Sequence, residues 1–144
     1  MPSPLSMLRT RGRTGDEGFT LIELLVVVVI IGVLVGIAIP VYLNFRQGAE
    51  NRSAQSDVRN AVSSVEQCYN EGGQSLPASV AASSTSFTLT CGTGESQKIV
   101  VSTGNTVQYD KDTPTTGAYT ITGKQTDTGK TYTYKSSDGT VATS

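Results

Sequence analysis

Between Phe19 and Ile39 the chain runs through 21 residues of which only Glu23 carries a charge. Coiled as a helix, this run is about 31 Å long, enough to cross the hydrocarbon layer of a bilayer once. A carboxylate inside such a segment costs roughly 2.5–3.5 kcal/mol at the membrane centre and less near its edge. Glu23 lies one helical turn from Phe19, so it sits shallow yet below the headgroups. The segment offers it no countercharge. A partner has to come from a neighbouring chain, a lipid headgroup or a new amino terminus.

The flanks narrow the choice. Arg9, Arg11 and Arg13 precede the apolar run, and positive residues on that side hold the flank in the cytoplasm. Residues 1–18 therefore read as a cytoplasmic leader. Two plainer readings stand beside this one. A secretory signal peptide would be cut after Gly36-Ile37-Ala38, but Glu23 at the start of its core and Pro40 just beyond are awkward for it. A single-pass anchor would keep the whole segment uncut.

Gly18-Phe19-Thr20-Leu21-Ile22-Glu23-Leu24-Leu25, followed by a long apolar helix, resembles the type IV prepilin signature of pilins and type II secretion pseudopilins. The resemblance covers about the first 30 residues of the motif and helix and implies a specific chemistry. A membrane prepilin peptidase cuts between Gly18 and Phe19 and methylates the new Phe19 amine. Glu23 pairs with the Phe19 amine of an adjacent subunit and sets the register of a filament. Pro40 falls where the family often kinks its helix. The partners implied are further copies of the chain in a helical filament, related minor pilins, the peptidase and an inner-membrane assembly machinery. The precursor is a single-pass membrane protein with its amino terminus in the cytoplasm, and the mature form lies in a cell-surface filament. No cofactor and no enzyme activity follow from the likeness. A type II secretion pseudopilin or a competence pilin fits the same motif. From another class, a monomeric, membrane-anchored extracytoplasmic binding module would need neither cleavage nor Glu23.

Beyond Ile39 the pattern stays helical and becomes amphipathic. Val58, Ala61, Val62, Val65, Cys68 and Tyr69 fall on one face, with Arg46, Glu50, Arg52, Asp57, Arg59 and Glu66 on the wetter sides. Pro40 has no N–H and clashes with the preceding turn, so a kink or local unwinding is predicted between Gly36 and Pro40. Gly72-Gly73 ends the helix. The element from Phe19 to about Glu71 would be some 80 Å long, too long to be buried by one small domain. Its first half needs lipid and then other copies of itself.

After residue 73 the period changes to two. Residues 74–86 read as a loop with at most one helical turn. Phe87–Cys91, Val107–Tyr109, Ala118–Thr122 and Thr131–Tyr134 alternate, Lys98–Val101 is a short apolar strand, and glycine turns separate them. The predicted fold is α+β: a long amino-terminal helix (19–40 in membrane or filament, 41–71 amphipathic) packed on a small antiparallel sheet of four to five strands within 72–144. Tyr109, Tyr119, Tyr132 and Tyr134 at strand spacing read as its packing face, against an exposed aromatic stripe for DNA or surfaces.

Cys68 and Cys91 are the whole thiol inventory. Outside the membrane they are expected to pair, tying the helix to the leading edge of the sheet; the alternative is two buried free thiols. Family major pilins often close a loop near the carboxyl terminus with a disulfide, whereas both cysteines here precede the later strands. Adhesive roles carried by such a loop are therefore not implied. The net charge of −1 speaks against a phosphate-binding surface, so nucleic acid is not an expected partner. With no His in the chain, imidazole catalysis and histidine-bound metals are excluded. No Ser, Thr or Cys has a visible base partner. Asp110-Lys111-Asp112 has carboxylates for a calcium site but reads as solvated surface, and the Asn51-Arg52-Ser53 sequon lies inside a helix.

Overall fold

The structure is a computed structural model, which describes residues 18–112 and 117–144; all of the leader expected over 1–18 except Gly18, its arginines included, lies outside them. Among the described residues one helix, α1 (Leu21–Glu71), precedes seven strands: β1 (Val80–Ser83), β2 (Phe87–Thr90), β3 (Ser96–Ile99), β4 (Asn105–Lys111), β5 (Tyr119–Gln125), β6 (Thr131–Lys135) and β7 (Thr140–Thr143). The chain divides into two units, Met1–Pro40 and Val41–Ser144.

In the second unit α1 presents Ala54, Val58, Ala61, Val65 and Cys68, all fully buried, at the spacing of one helical face. They cover a five-stranded antiparallel sheet of order β1-β4-β5-β6-β7. Register sets the opposing layer: Tyr109 faces Ile121, which faces Tyr134, and Val107 faces Gly123, which faces Tyr132. Tyr109 and Tyr119 stack at 6.0 Å between ring centroids, and Tyr119 and Tyr134 at 5.8 Å. The tyrosines are thus the packing face. Gly123 marks the closest approach of helix to sheet, where a Cβ would collide with Val58 and stand 3.2 Å from the Ala54 carbonyl. The helix ends as the glycine pair predicts. Gly73 takes φ +70°, and the Gln74 amide donates to the Tyr69 carbonyl at 2.9 Å, closing a Schellman turn.

Several expectations need correction. The five-stranded sheet agrees with the four to five strands expected; unexpected, among the described residues, is the second sheet, in which β2 and β3 pair only with each other. Strands β1 and β7 escape the sequence pattern for one reason: each is a short edge strand that turns little apolar surface inward, Val80 in one and Val141 in the other. The Lys98–Val101 run is displaced, with the strand ending at Ile99 and Val100 facing outward. In β5, Tyr119 and Ile121 point inward, while Thr120 and Thr122 alternate to the other side. Asp57, assigned to a wet side, is buried at 3% exposure.

Cys68 and Cys91 form a disulfide, with Cα atoms 5.2 Å apart. Cys91 follows β2, so the bridge ties α1 to the two-stranded hairpin and not to the edge of the five-stranded sheet. Beside it Gly72 and Gly92 cross at backbone contact; a Cβ on Gly72 would meet the Gly92 nitrogen at 2.7 Å.

Candidate assembly site at the amino-terminal helix

The first unit contains the apolar half of α1. From Leu21 to Ile39 its large apolar side chains are each between 47% and 82% exposed, around the whole circumference of the helix. A core helix buries one stripe; this one buries none, and it is long and apolar enough to cross a membrane. At its head stands the residue pattern Thr20-x-x-Glu23. The Thr20 amide donates to Glu23 Oε2 at 2.9 Å, the Thr20 hydroxyl donates to the same oxygen at 2.7 Å, and the Glu23 amide donates to Thr20 Oγ1 at 3.3 Å. This reciprocal arrangement is a capping box, with Thr20 as the cap and Glu23 at the third helical position. It satisfies two amides that the first turn would otherwise leave open.

Gly18 and Phe19 precede the cap and are exposed, Phe19 at 80%. A Cβ on Gly18 would have no neighbour within 4 Å, so packing does not explain the glycine. Phe19 and Glu23 line one shallow apolar surface with Ile22, Val26 and Val27. Glu23 makes no ion pair among the described residues. The helix continues through Pro40, whose missing N–H leaves the Gly36 carbonyl without its usual partner. Of the residues singled out in the sequence, the fold brings Cys68 to Cys91; it leaves Gly18, Phe19 and Glu23 at the open end of the apolar helix. Thr20 was missed as the partner of Glu23, although Thr followed three residues later by Glu before an apolar run is a readable cap signal.

In the second unit the titratable groups serve packing. Burial pushes the Tyr109 phenol up to about 12. Burial first, then its hydrogen bond to Glu66, holds the Tyr119 phenol far above the usual range. Among the described residues no group of His, Cys, Asp or Glu is arranged to hold a metal ion, and Asp110 instead accepts a hydrogen bond from Gln108.

An apolar helix exposed on every side and capped by its own carboxylate, with an amphipathic continuation packed on antiparallel strands, defines a pilin-like α+β chain. Comparison with known proteins bears on the same segment. A family model for the prokaryotic N-terminal methylation motif matches residues 13–39. The chain is 40% identical over 57 residues to a type IV major fimbrial protein of Dichelobacter nodosus, spanning 40% of this chain and 36% of that one. It is 36% identical over 88 residues to a fimbrial protein of Pseudomonas aeruginosa, spanning 57% of each. It is also 36% identical over 56 residues to a type IV major pilin protein of Myxococcus xanthus, spanning 39% of this chain and 26% of that one. The matches thus cover from about a quarter to just over half of these relatives' own length. No solved structure matches. Through this motif and over these stretches the chain is similar to type IV fimbrial and pilin proteins.

Proposed function

We propose that the protein is a structural subunit of a type IV pilus-like filament, and not an enzyme. One observation carries the reading: Glu23 is the single charge in an apolar helix that its own chain leaves uncovered. In this reading residues 1–18 are a cytoplasmic leader removed by a prepilin peptidase, which hydrolyses the Gly18–Phe19 bond; the freed Phe19 amine is methylated and remains a cation. Residues 19–40 hold the precursor in the membrane as a single pass. Assembly exchanges lipid contacts for helix–helix contacts with other copies and with related minor pilins. The Phe19 amine of one subunit then meets Glu23 of the next, which favours one axial register. An ion pair in low dielectric contributes more to specificity than to net stability. A head-to-tail contact that does not close on itself propagates as a helix. A kink at Pro40 would let the helix follow that geometry, and residues 41–144 would form the surface of the fibre.

The fimbrial and pilin names of the relatives favour a pilus over a secretion or competence filament. The test is the intact mass and amino-terminal sequence of the protein from its native cell, together with sheared surface fractions. A chain beginning at N-methylated Phe19 and recovered in fibres supports the proposal. A chain still beginning at Met1, or cut after Ala38, overturns it.

A further inference from the structure

We propose that the outer unit carries a complementary pair of surfaces, a Val100 knob and a groove at Val62, through which successive copies of this chain lock side by side; this rests on the filament reading above. Among the described residues after Phe45, Val100 is the one large apolar side chain left exposed, at 53%. It stands just beyond β3, where Ile99 and Val101 turn into the core and Lys98 and Val100 turn out. The groove, of about 410 Å³, lies between α1 and the β6–β7 hairpin. Gln55, Arg59 and Val62 line it from the helix, and Tyr134 and Val141 from the strands.

Their placement on α1 decides what sort of contact they make. The β2–β3 hairpin sits on the flank of Ser64, whose hydroxyl donates to the Lys98 carbonyl at 3.3 Å. Val62 is two residues away, which places it roughly 160° from Ser64 around the helix axis at 100° per residue. Knob and groove therefore lie on opposite flanks. A copy that seats its knob in a neighbour keeps its own groove open for the next, so the contact is heterologous and propagates instead of closing a dimer.

Charge fits the same register. Lys98 stands two residues before Val100 on the outward face of an extended segment, about 6.6 Å away. Glu66 stands one turn beyond Val62 on the groove flank, about 6 Å away. Of the two directions in which the segment can run along the helix with Val100 seated on Val62, one sets Lys98 against Arg59 and the other brings it to Glu66; charge selects the second, and the Glu66 carboxylate keeps lone pairs for it beyond the one used by Tyr119. A valine and one ion pair bury far less than the roughly 1,000 Å² of a stable free interface. The contact becomes effective only where the amino-terminal helices already hold copies together at high local concentration.

The test places a photo-crosslinking benzoylphenylalanine at Val100 in the full chain, in cells that assemble it, and maps the crosslinks in sheared fibres. Crosslinks to Val62, Tyr134 or Val141 of a second copy are expected. Lys98→Glu should lower that crosslink yield severalfold, and adding Glu66→Lys should restore it. Wild-type fibres whose crosslinks map elsewhere, or to another protein, overturn this contact and leave the filament reading intact. Wild-type cells that make no fibre overturn the filament reading, and this contact with it.

Discussion

Asp57 of the helix and Asn105 of β4 are joined by a buried hydrogen bond of 2.7 Å, with the Asn105 amide donating to Asp57 Oδ2. The same carboxylate takes the Ser102 amide at 2.9 Å and the Ser102 hydroxyl at 2.8 Å. Three donors and no cation hold it, so it acts as a clamp between α1 and the loop entering β4. Asp57→Ala strands buried donors and should cost roughly 2–3 kcal/mol, or about 10–20 °C in Tm. Asp57→Asn should cost less, because its amide can donate to the Ser102 hydroxyl where Oδ1 accepted. Thermal unfolding of the detergent-solubilised full chain checks both; equal losses, or none, would count against the clamp.

This clamp also shows where sequence reading stops. A carboxylate at a helical position reads as exposed, and the partners that reverse that reading lie 45 and 48 residues further along the chain. Periodicity carried the helix, its end at Gly72-Gly73 and the alternating strands around Tyr109, Tyr119 and Tyr132, because those elements bury a whole face. It did not carry β1 and β7, which bury almost nothing. At the amino terminus the reverse holds. Gly18, Phe19 and Glu23 stand in one short local motif, the stretch that the N-terminal methylation model also matches, and the roles proposed for them rest on that motif.

The Cys68–Cys91 bridge spans 23 positions and should contribute about 3 kcal/mol. Beside it, a Cβ at Gly92 would strike the Gly72 carbonyl. Gly92→Ala is therefore expected to destabilise by about 1–3 kcal/mol in the oxidised protein. With both cysteines changed to Ser, the backbones are no longer tethered there and the same substitution should cost distinctly less. A double-mutant cycle on urea midpoints reads this coupling; additive losses would mean the crossing is rigid without the disulfide.

Alkaline conditions should loosen the outer unit through its tyrosines. A phenol whose pKa is raised in the fold stabilises it fully below the unfolded value of about 10, and that contribution is lost as pH rises through the folded value. For Tyr109, pushed up to about 12 by burial, the loss falls between about pH 10 and 12. Tyr119, raised further by burial and by Glu66, loses its contribution over the same window and beyond it, because the unfolded phenol ionises from about pH 10 while the folded one keeps its proton. Tyr109→Phe removes one of the two losses, so its stability should fall less steeply between pH 10 and 12 than that of the wild type. Phenolate absorbance followed beside circular dichroism would test this; tyrosine ionisation well before any loss of structure would contradict it.

Glu23 has two roles that substitution can separate. It caps its own helix with Thr20, and in the filament reading its charge meets the amine of another subunit. Thr20→Ala removes the cap at a cost of about 1 kcal/mol and frays the first turn, yet leaves the carboxylate. Glu23→Gln keeps an acceptor suited to the capping box but removes the charge. If charge sets the register, the Thr20 variant should still yield sheared fibres while the Gln variant yields few, with both chains cleaved before Phe19. Hydrogen exchange at the first turn should show the opposite order, with faster exchange in the Thr20 variant. Fibres from the Gln variant at wild-type yield would make Glu23 a helix cap alone and remove the ion pair from the assembly mechanism.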